Sequence, residues 1–280
     1  MAGLVTSHAS VPPVEGTRDI ELVSDEEAQA YAKLRENSAF ERFPQETLVR
    51  FLRARDLKVD DATDMLAGHA AFRDKWLSKE IVLDDIMPAL QSGCWYYAGT
   101  DKEGAPVLFV DTRLWNPADY SLEVYVQYLC FFYDRLFLQP SVGPTQHKLV
   151  VVFDMQGWSY SDAYYLRYVQ QLVNINQNQY PERLKKGLLI NAPWIFRASW
   201  AIIKPWIDQK TASKLVFTDS PENMLERLAE LIPPENMLPE YGGIMKEENL
   251  RKPNMHGIPN YKSRSSRIGN LDTVKIGEVV

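Results

Sequence analysis

The chain has 280 residues, 45% hydrophobic and 24% charged, with 14 Gly and 17 Pro in no repeat period, a composition that excludes wholesale disorder and the collagenous and low-complexity classes. A formal net charge of -6 argues against nonspecific nucleic-acid binding, and apolar runs such as Leu149 to Phe153 are too short to span a bilayer. Seven Trp and fourteen Tyr are more large side chain than the charge pattern accounts for.

Residues 1–23 are rich in Ser, Pro and small residues and lack both the basic start and the apolar stretch of a secretory signal. They read as a flexible tail on a cytoplasmic protein. Two cysteines, Cys94 and Cys130, are too few for a disulfide scaffold, and no Cys/His spacing suggests zinc. The segment Ser24 to Glu27 is a capping box opening a helix to about Phe40, with Ser24 taking the Glu27 amide and Glu27 reaching back. Pro44 opens a second helix, with Leu48, Phe51 and Leu52 on one face and Arg50, Arg53 and Arg55 beside them. A third runs from about Asp60 to Leu77 and buries Met65, Leu66, His69, Phe72 and Trp76 at helical spacing. Residues 24–90 are expected to form an all-helical N-terminal lobe.

Beyond Gly93 short apolar runs alternate with long helical ones, the signature of crossover units and a largely parallel sheet. Strands are predicted at 95–99, 106–110, 148–154, 185–191 and 214–218, the first two joined as a hairpin by Asp101 to Gly104. The third has no polar alternation and belongs in the sheet centre. Helices are predicted at 121–138, 161–178, 194–206 and 221–230. Residues 91–245 form one α/β domain in this reading, and 246–280 a polar extension.

The common catalytic signatures are missing: no G-x-S-x-G, no Walker loop, no G-x-G-x-x-G after a strand, no H-E-x-x-H. His69 lies on an apolar helix face and reads as a satisfied core residue. Asp154, at the carboxyl end of the central strand, stands where an open α/β sheet places a ligand group, or else it caps the next loop. The helix 194–206 is apolar around most of its circumference, with Trp194, Trp200 and Trp206 pointing roughly 120° apart. Such a helix is either buried or faces a nonaqueous ligand on one side and a membrane on the other. Glu182, Thr211 and Lys214 could together hold a polyol phosphate or be solvated loop charges.

RFLRAR at 50–55, VVFDMQG, NQYPERL, INAPW, KPWID, TASK and LPEYGG stand in the order typical of CRAL-TRIO proteins, and the chain resembles the phosphatidylinositol transfer branch of that family from about Ser24 to Gly243. The resemblance implies the CRAL-TRIO fold: an N-terminal helical lobe, then a mostly parallel β-sheet floor whose helices enclose a hydrophobic lipid pocket. It places the phosphatidylinositol headgroup set on Arg55, Glu182, Thr211 and Lys214, and makes 194–206 a mobile gate bearing Trp194, Phe196, Trp200, Ile203 and Trp206. The phosphatidylcholine set does not carry over: Leu149 and Val151 replace hydroxyl residues and Leu108 replaces a tyrosine, while Tyr97 keeps its place. The implied function is non-enzymatic binding and transfer of phosphatidylinositol, with weak or no phosphatidylcholine binding. No cofactor or metal is implied. The implied partners are phospholipid, a transient membrane surface and a phosphatidylinositol kinase, with the chain a monomer. Alternatives are a carrier of a sterol, tocopherol or retinoid, a hydrolase using Asp154, and a scaffold recruited through the basic C-terminal segment or phosphorylated at Ser263, Ser265 or Ser266.

Overall fold

The computed structural model describes residues 10–11, 20–77, 81–137, 142 and 146–246, so the C-terminal serines lie outside it. The first part of the chain holds β1 (Ser10–Val11), α1 (Asp25–Arg35), α2 (Gln45–Ala54), α3 (Val59–Trp76), β2 (Ile81–Val82) and α4 (Leu83–Ser92). Ser24 accepts the Glu27 amide at 3.1 Å. The returning Glu27 carboxylate takes the Val23 amide at 2.8 Å, one residue short of a capping box, and also receives Arg53 at 2.6 Å. The first helix stops at Arg35 rather than Phe40, because Asn37 accepts the Ala39 amide at 3.1 Å and starts a separate turn over Ser38–Phe40. Leu48, Phe51 and Leu52 of α2 pack on Leu34 and Leu66 from its neighbours.

The all-helical expectation for residues 24–90 fails at β2, which pairs antiparallel with β1, Ser10 opposite Val82 and Val11 opposite Ile81. Part of the expected tail is therefore a strand. Val11, Ile81 and Val82 suit the pleated conformation, but a two-residue ladder has no period to read.

The domain that follows contains β3 (Trp95–Thr100), β4 (Pro106–Asp111), α5 (Leu122–Leu136), β5 (Leu149–Asp154), α6 (Leu166–Asn178), β6 (Leu184–Ile190), α7 (Trp194–Ile203), α8 (Gln209–Ala212), β7 (Leu215–Phe217) and α9 (Pro221–Leu231). The five strands lie in sequence order. β3 and β4 are antiparallel, and every later pair is parallel. The hairpin turn carries Gly104 at φ 84° and Asp101, whose carboxylate accepts the Glu103 and Ala105 amides at 2.9 and 2.8 Å. β5 is the central strand, as its unbroken apolar run requires. Its Leu149 and Val151 join the core under α5, and its Val150 and Val152 join the opposite core with Leu228 of α9, Met237 and Tyr241. The mixed α/β architecture with a five-stranded, mostly parallel sheet is the one expected.

Two predicted helices are shorter than expected for local reasons. α7 ends at Ile203 and tightens into a turn over Lys204–Trp206, because Pro205 has no N–H to continue the ladder. The stretch before α6 is a tight turn over Tyr160–Tyr165, held by the Asp162 carboxylate, which accepts the Ser159 amide at 2.6 Å and its hydroxyl at 2.7 Å.

Candidate functional site

A cavity of about 340 Å³ lies between the β5/β6 face of the sheet and helices α6 and α7. Its interior is apolar, with Leu149, Val151 and Phe153 from β5, Leu172 and Val173 from α6, and Phe196, Trp200 and Ile203 from α7. Edge-on rings back one wall: Trp95 meets Tyr128, Phe132 and Tyr133 of α5 at 5.7, 5.6 and 5.7 Å between centroids. The volume falls within the range for sites that enclose a small ligand.

Charged groups converge at one end. Arg55, Glu182, Lys210, Thr211 and Lys214 all line the cavity, although they come from three separate places in the chain. Arg55 caps α2, and the chain turns away immediately through Asp56 and Leu57 at φ 50° and 62°. Glu182 sits in the turn entering β6 with φ 60°, a left-handed conformation costing roughly 1–2 kcal/mol for a residue with a Cβ. α8 and the turn after it supply the others: Asp208 accepts the Thr211 amide at 2.8 Å, and the Lys214 amide closes onto the Thr211 carbonyl at 3.0 Å.

Glu182 lies 2.8 Å from Lys210 Nζ and 4.0 Å from Lys214 Nζ. Burial alone would raise its carboxyl, but the Lys210 hydrogen bond and the charges of Lys214 and Lys210 outweigh it and hold the group below its usual range. Burial is also the largest influence on Lys214 and lowers its ammonium. Glu182 opposes that shift, and Lys148 and Lys210 reinforce it. Lys148, Lys210 and Lys214 beside two carboxylates, Glu182 and Asp208, leave an excess of positive charge at the mouth of an apolar hollow, a match for an anionic head on an apolar tail.

The four sequence-derived headgroup residues thus share one mouth. Of the wall residues, Leu149 and Val151 line the cavity. Tyr97, Leu108 and Val151 are successive cross-strand partners in one row, and Leu108 and Tyr97 continue that row into the core beneath α5. On α7, Phe196 and Ile203 are buried and Trp200 is half-buried against the cavity. Trp206 is half-buried in the same cluster. Trp194 faces outward at 69% exposure, its ring edge-on to that of Tyr160 at 5.7 Å, itself 66% exposed.

Sequence reasoning missed Lys210 and Lys148 as participants. The available signal was the spacing of Lys210 and Lys214, one helical turn apart on either side of Thr211. Asp154 is a structural tie: it accepts from the Gln156 amide at 3.0 Å, Asn191 at 3.1 Å and the Tyr241 hydroxyl at 2.7 Å, joining three loops at the strand end. His69 is buried with Nδ1 at 2.8 Å from Gln179 Oε1, the satisfied core histidine expected. Among the described residues no acidic or Cys/His cluster is arranged to hold a metal, and no helix is long and apolar enough to cross a membrane.

The chain matches the CRAL/TRIO domain over residues 90–243 and the CRAL/TRIO N-terminal domain over residues 20–68. It is 33% identical over 218 residues to the SEC14 cytosolic factor of Candida glabrata, which covers 72% of each chain. It is 31% identical over 215 residues to phosphatidylinositol transfer protein CSR1 of Eremothecium gossypii, covering 72% of this chain and 47% of that one, so the present chain spans about half the length of that relative. Among solved structures, the crystal structure of Sfh5 has the same fold, with a TM-score of 0.61 at 16% identity over 90% of this chain and 98% of the other.

Proposed function

We propose that this chain, which belongs to the CRAL/TRIO family, binds phosphatidylinositol and carries or presents it between membranes without making or breaking a bond. The observation behind this reading is the convergence of Arg55, Glu182, Lys210, Thr211 and Lys214 on the mouth of an apolar cavity. Arg55 and Lys214 meet the phosphodiester as cations, while Glu182 accepts from inositol hydroxyls and Thr211 adds a hydroxyl of its own. The acyl chains lie against Leu149, Val151 and Phe153, where each buried methylene is worth about 0.8 kcal/mol. Likeness to a phosphatidylinositol transfer protein supports the choice of lipid.

In this reading α7 is the gate. Its inner face closes the cavity with Phe196, Trp200 and Ile203. Its outer face presents Trp194 beside Tyr160, and these residue types favour a membrane interface. The chain works in the cytoplasm, touching membranes transiently as a monomer, and the enzyme class that consumes the presented lipid is a phosphatidylinositol kinase. Leu149 and Val151 offer no donor to a choline lipid's phosphate, so phosphatidylcholine binds weakly or not at all. Mass spectrometry of lipid extracted from the protein after incubation with mixed vesicles tests the assignment. Phosphatidylinositol is the expected occupant. Recovery of sterol or another small hydrophobe with no phosphoinositide would overturn it.

A further inference from the structure

We infer that the helical lobe aims Glu182: a buried triad of Arg50, Glu46 and Arg183, assisted by His69 and Asp134, fixes the backbone on both sides of that carboxylate, so these are positioning residues for headgroup recognition. The inference rests on the phosphatidylinositol reading of the cavity mouth.

Each neighbour of Glu182 is tied to an element outside its own turn. Gln179 meets His69 of α3 at 2.8 Å. The Tyr180 hydroxyl donates to Asp134 of α5 at 2.7 Å, and Asp134 is itself paired with Arg73 of α3 at 3.3 Å. The Pro181 carbonyl accepts from Arg50 Nη1 of α2 at 3.0 Å. Arg183 forks onto the Glu46 carboxylate of α2, with Nη2 at 3.2 Å from Oε2, and its Nη1 also reaches the His147 carbonyl at 3.0 Å. Glu46 is shared, since Arg50 Nε lies 3.5 Å from it. Only Glu182 turns outward, toward Lys210 and Lys214.

The triad is fully withdrawn from water, with Glu46, Arg50 and Arg183 exposed by 0, 3 and 5%. Burial, and then the nearby Arg50 charge, push the Arg183 guanidinium down to about 9, while Glu46 pulls it back up. Replacing a buried Arg–Glu–Arg arrangement by apolar side chains is often neutral or stabilising, so stability alone gives no reason for one here. Geometry does. A left-handed glutamate persists only where its surroundings over-determine it, and this turn is tied on both sides. The helix that makes two of those ties is also capped by Arg55. α2 therefore acts as a rigid spacer that sets the headgroup acid and a headgroup cation relative to each other.

The test compares Glu182→Gln, a triad variant carrying Glu46→Leu, Arg50→Met and Arg183→Met, and the two combined. Phosphatidylinositol affinity, thermal melting and uptake of a fluorescent fatty acid are measured on each. Glu182→Gln and the triad variant are each expected to weaken phosphatidylinositol binding by roughly tenfold, with fatty-acid uptake and cooperative melting retained. The combination is expected to add less than about twofold, because the triad acts through Glu182. If Glu182→Gln has no effect, the headgroup reading itself fails. If it weakens binding and the triad variant does not, or if the two effects multiply in full, the positioning role is overturned. Should the triad variant not fold, Arg50→Lys, which keeps the charge and loses the guanidinium donor to the Pro181 carbonyl, is read by the same criteria.

Discussion

Lys214→Met removes one of the cations proposed to meet the headgroup while leaving the fold nearly untouched. The Lys214–Glu182 pair is 4.0 Å apart, with side chains 23 and 11% exposed. At an effective dielectric near 20, that separation corresponds to about 4 kcal/mol of Coulomb attraction before desolvation. Burial of the ammonium, which lowers its pKa, offsets most of this, and partly exposed pairs retain about 0–1 kcal/mol. Lys210 at 2.8 Å still neutralises Glu182 in the variant, so no buried charge is orphaned. The expected loss of stability is therefore under about 1 kcal/mol, a Tm change of at most about 4 °C. Phosphatidylinositol binding loses a charge-assisted hydrogen bond worth about 1.5–3 kcal/mol, or about 10- to 150-fold in affinity. Transfer of labelled phosphatidylinositol between vesicles at neutral pH, with a melt on the same sample, reads both numbers. A folded variant transferring within about twofold of the unmodified protein would refute the assignment of Lys214 to the phosphate.

Burial holds the Lys214 ammonium below its usual range, so its charge is lost, as pH rises, below the ordinary lysine value of about 10.4. Phosphatidylinositol affinity should therefore decline early on the alkaline side, and Lys214→Arg should move that limb upward; a titration that Arg does not shift would contradict the cause. Trp194→Ala, at a site 69% exposed, should change stability by no more than about 0.5 kcal/mol yet weaken sedimentation with vesicles by roughly tenfold. Vesicle binding equal to that of the unmodified protein would remove this face from the docking surface. Leu108→Tyr with Leu149→Ser and Val151→Thr should introduce or raise phosphatidylcholine transfer, and unchanged transfer would mean that this wall does not decide ligand choice. Stripping lipid with detergent should lower the Tm by roughly 10 °C or more, with phosphatidylinositol restoring it; a Tm indifferent to lipid would count against an enclosed cargo.

Local chemistry carried most of the fold in the sequence. The run Leu149 to Phe153 is apolar at every position and has to be buried on both faces, which makes it the sheet centre. Asp101 and Gly104 write the hairpin. The site was half legible: Glu182, Thr211 and Lys214 carry chemistry that suggests a polar phosphate ligand, but their convergence with Arg55 came from the family resemblance. The rest depended on tertiary contact. Arg50, Arg53 and Arg55 look alike in sequence, yet Arg50 is buried on the Pro181 carbonyl, Arg53 pairs with Glu27 and Arg55 faces the cavity. Glu46 and Arg183 stand 137 residues apart, and neither position has a local pattern that announces its partner. The β1–β2 ladder is two residues long, too short for any periodicity.

A hollow of this kind has an energetic consequence that explains both the aromatic content and the mode of action. Cavities in protein cores cost about 24 cal/mol per Å³, so 340 Å³ held dry would cost on the order of 8 kcal/mol, comparable with the whole stability of a typical domain. The walls must then resist collapse. Large rings locked edge to edge do so: Trp95 against three aromatics of α5, Trp158 against Phe196 at 5.2 Å, and Trp200 against Phe217 at 5.2 Å. Filling the hollow recovers contacts that these rigid walls cannot make with each other. An emptied protein is the high-energy state, so cargo leaves most readily when other lipid enters. In the reading proposed above, with α7 as the gate, that condition is met at a bilayer and not in water, and opening of α7 is coupled to the membrane that its exposed Trp194 touches. Exchange, rather than release, is the step this architecture favours.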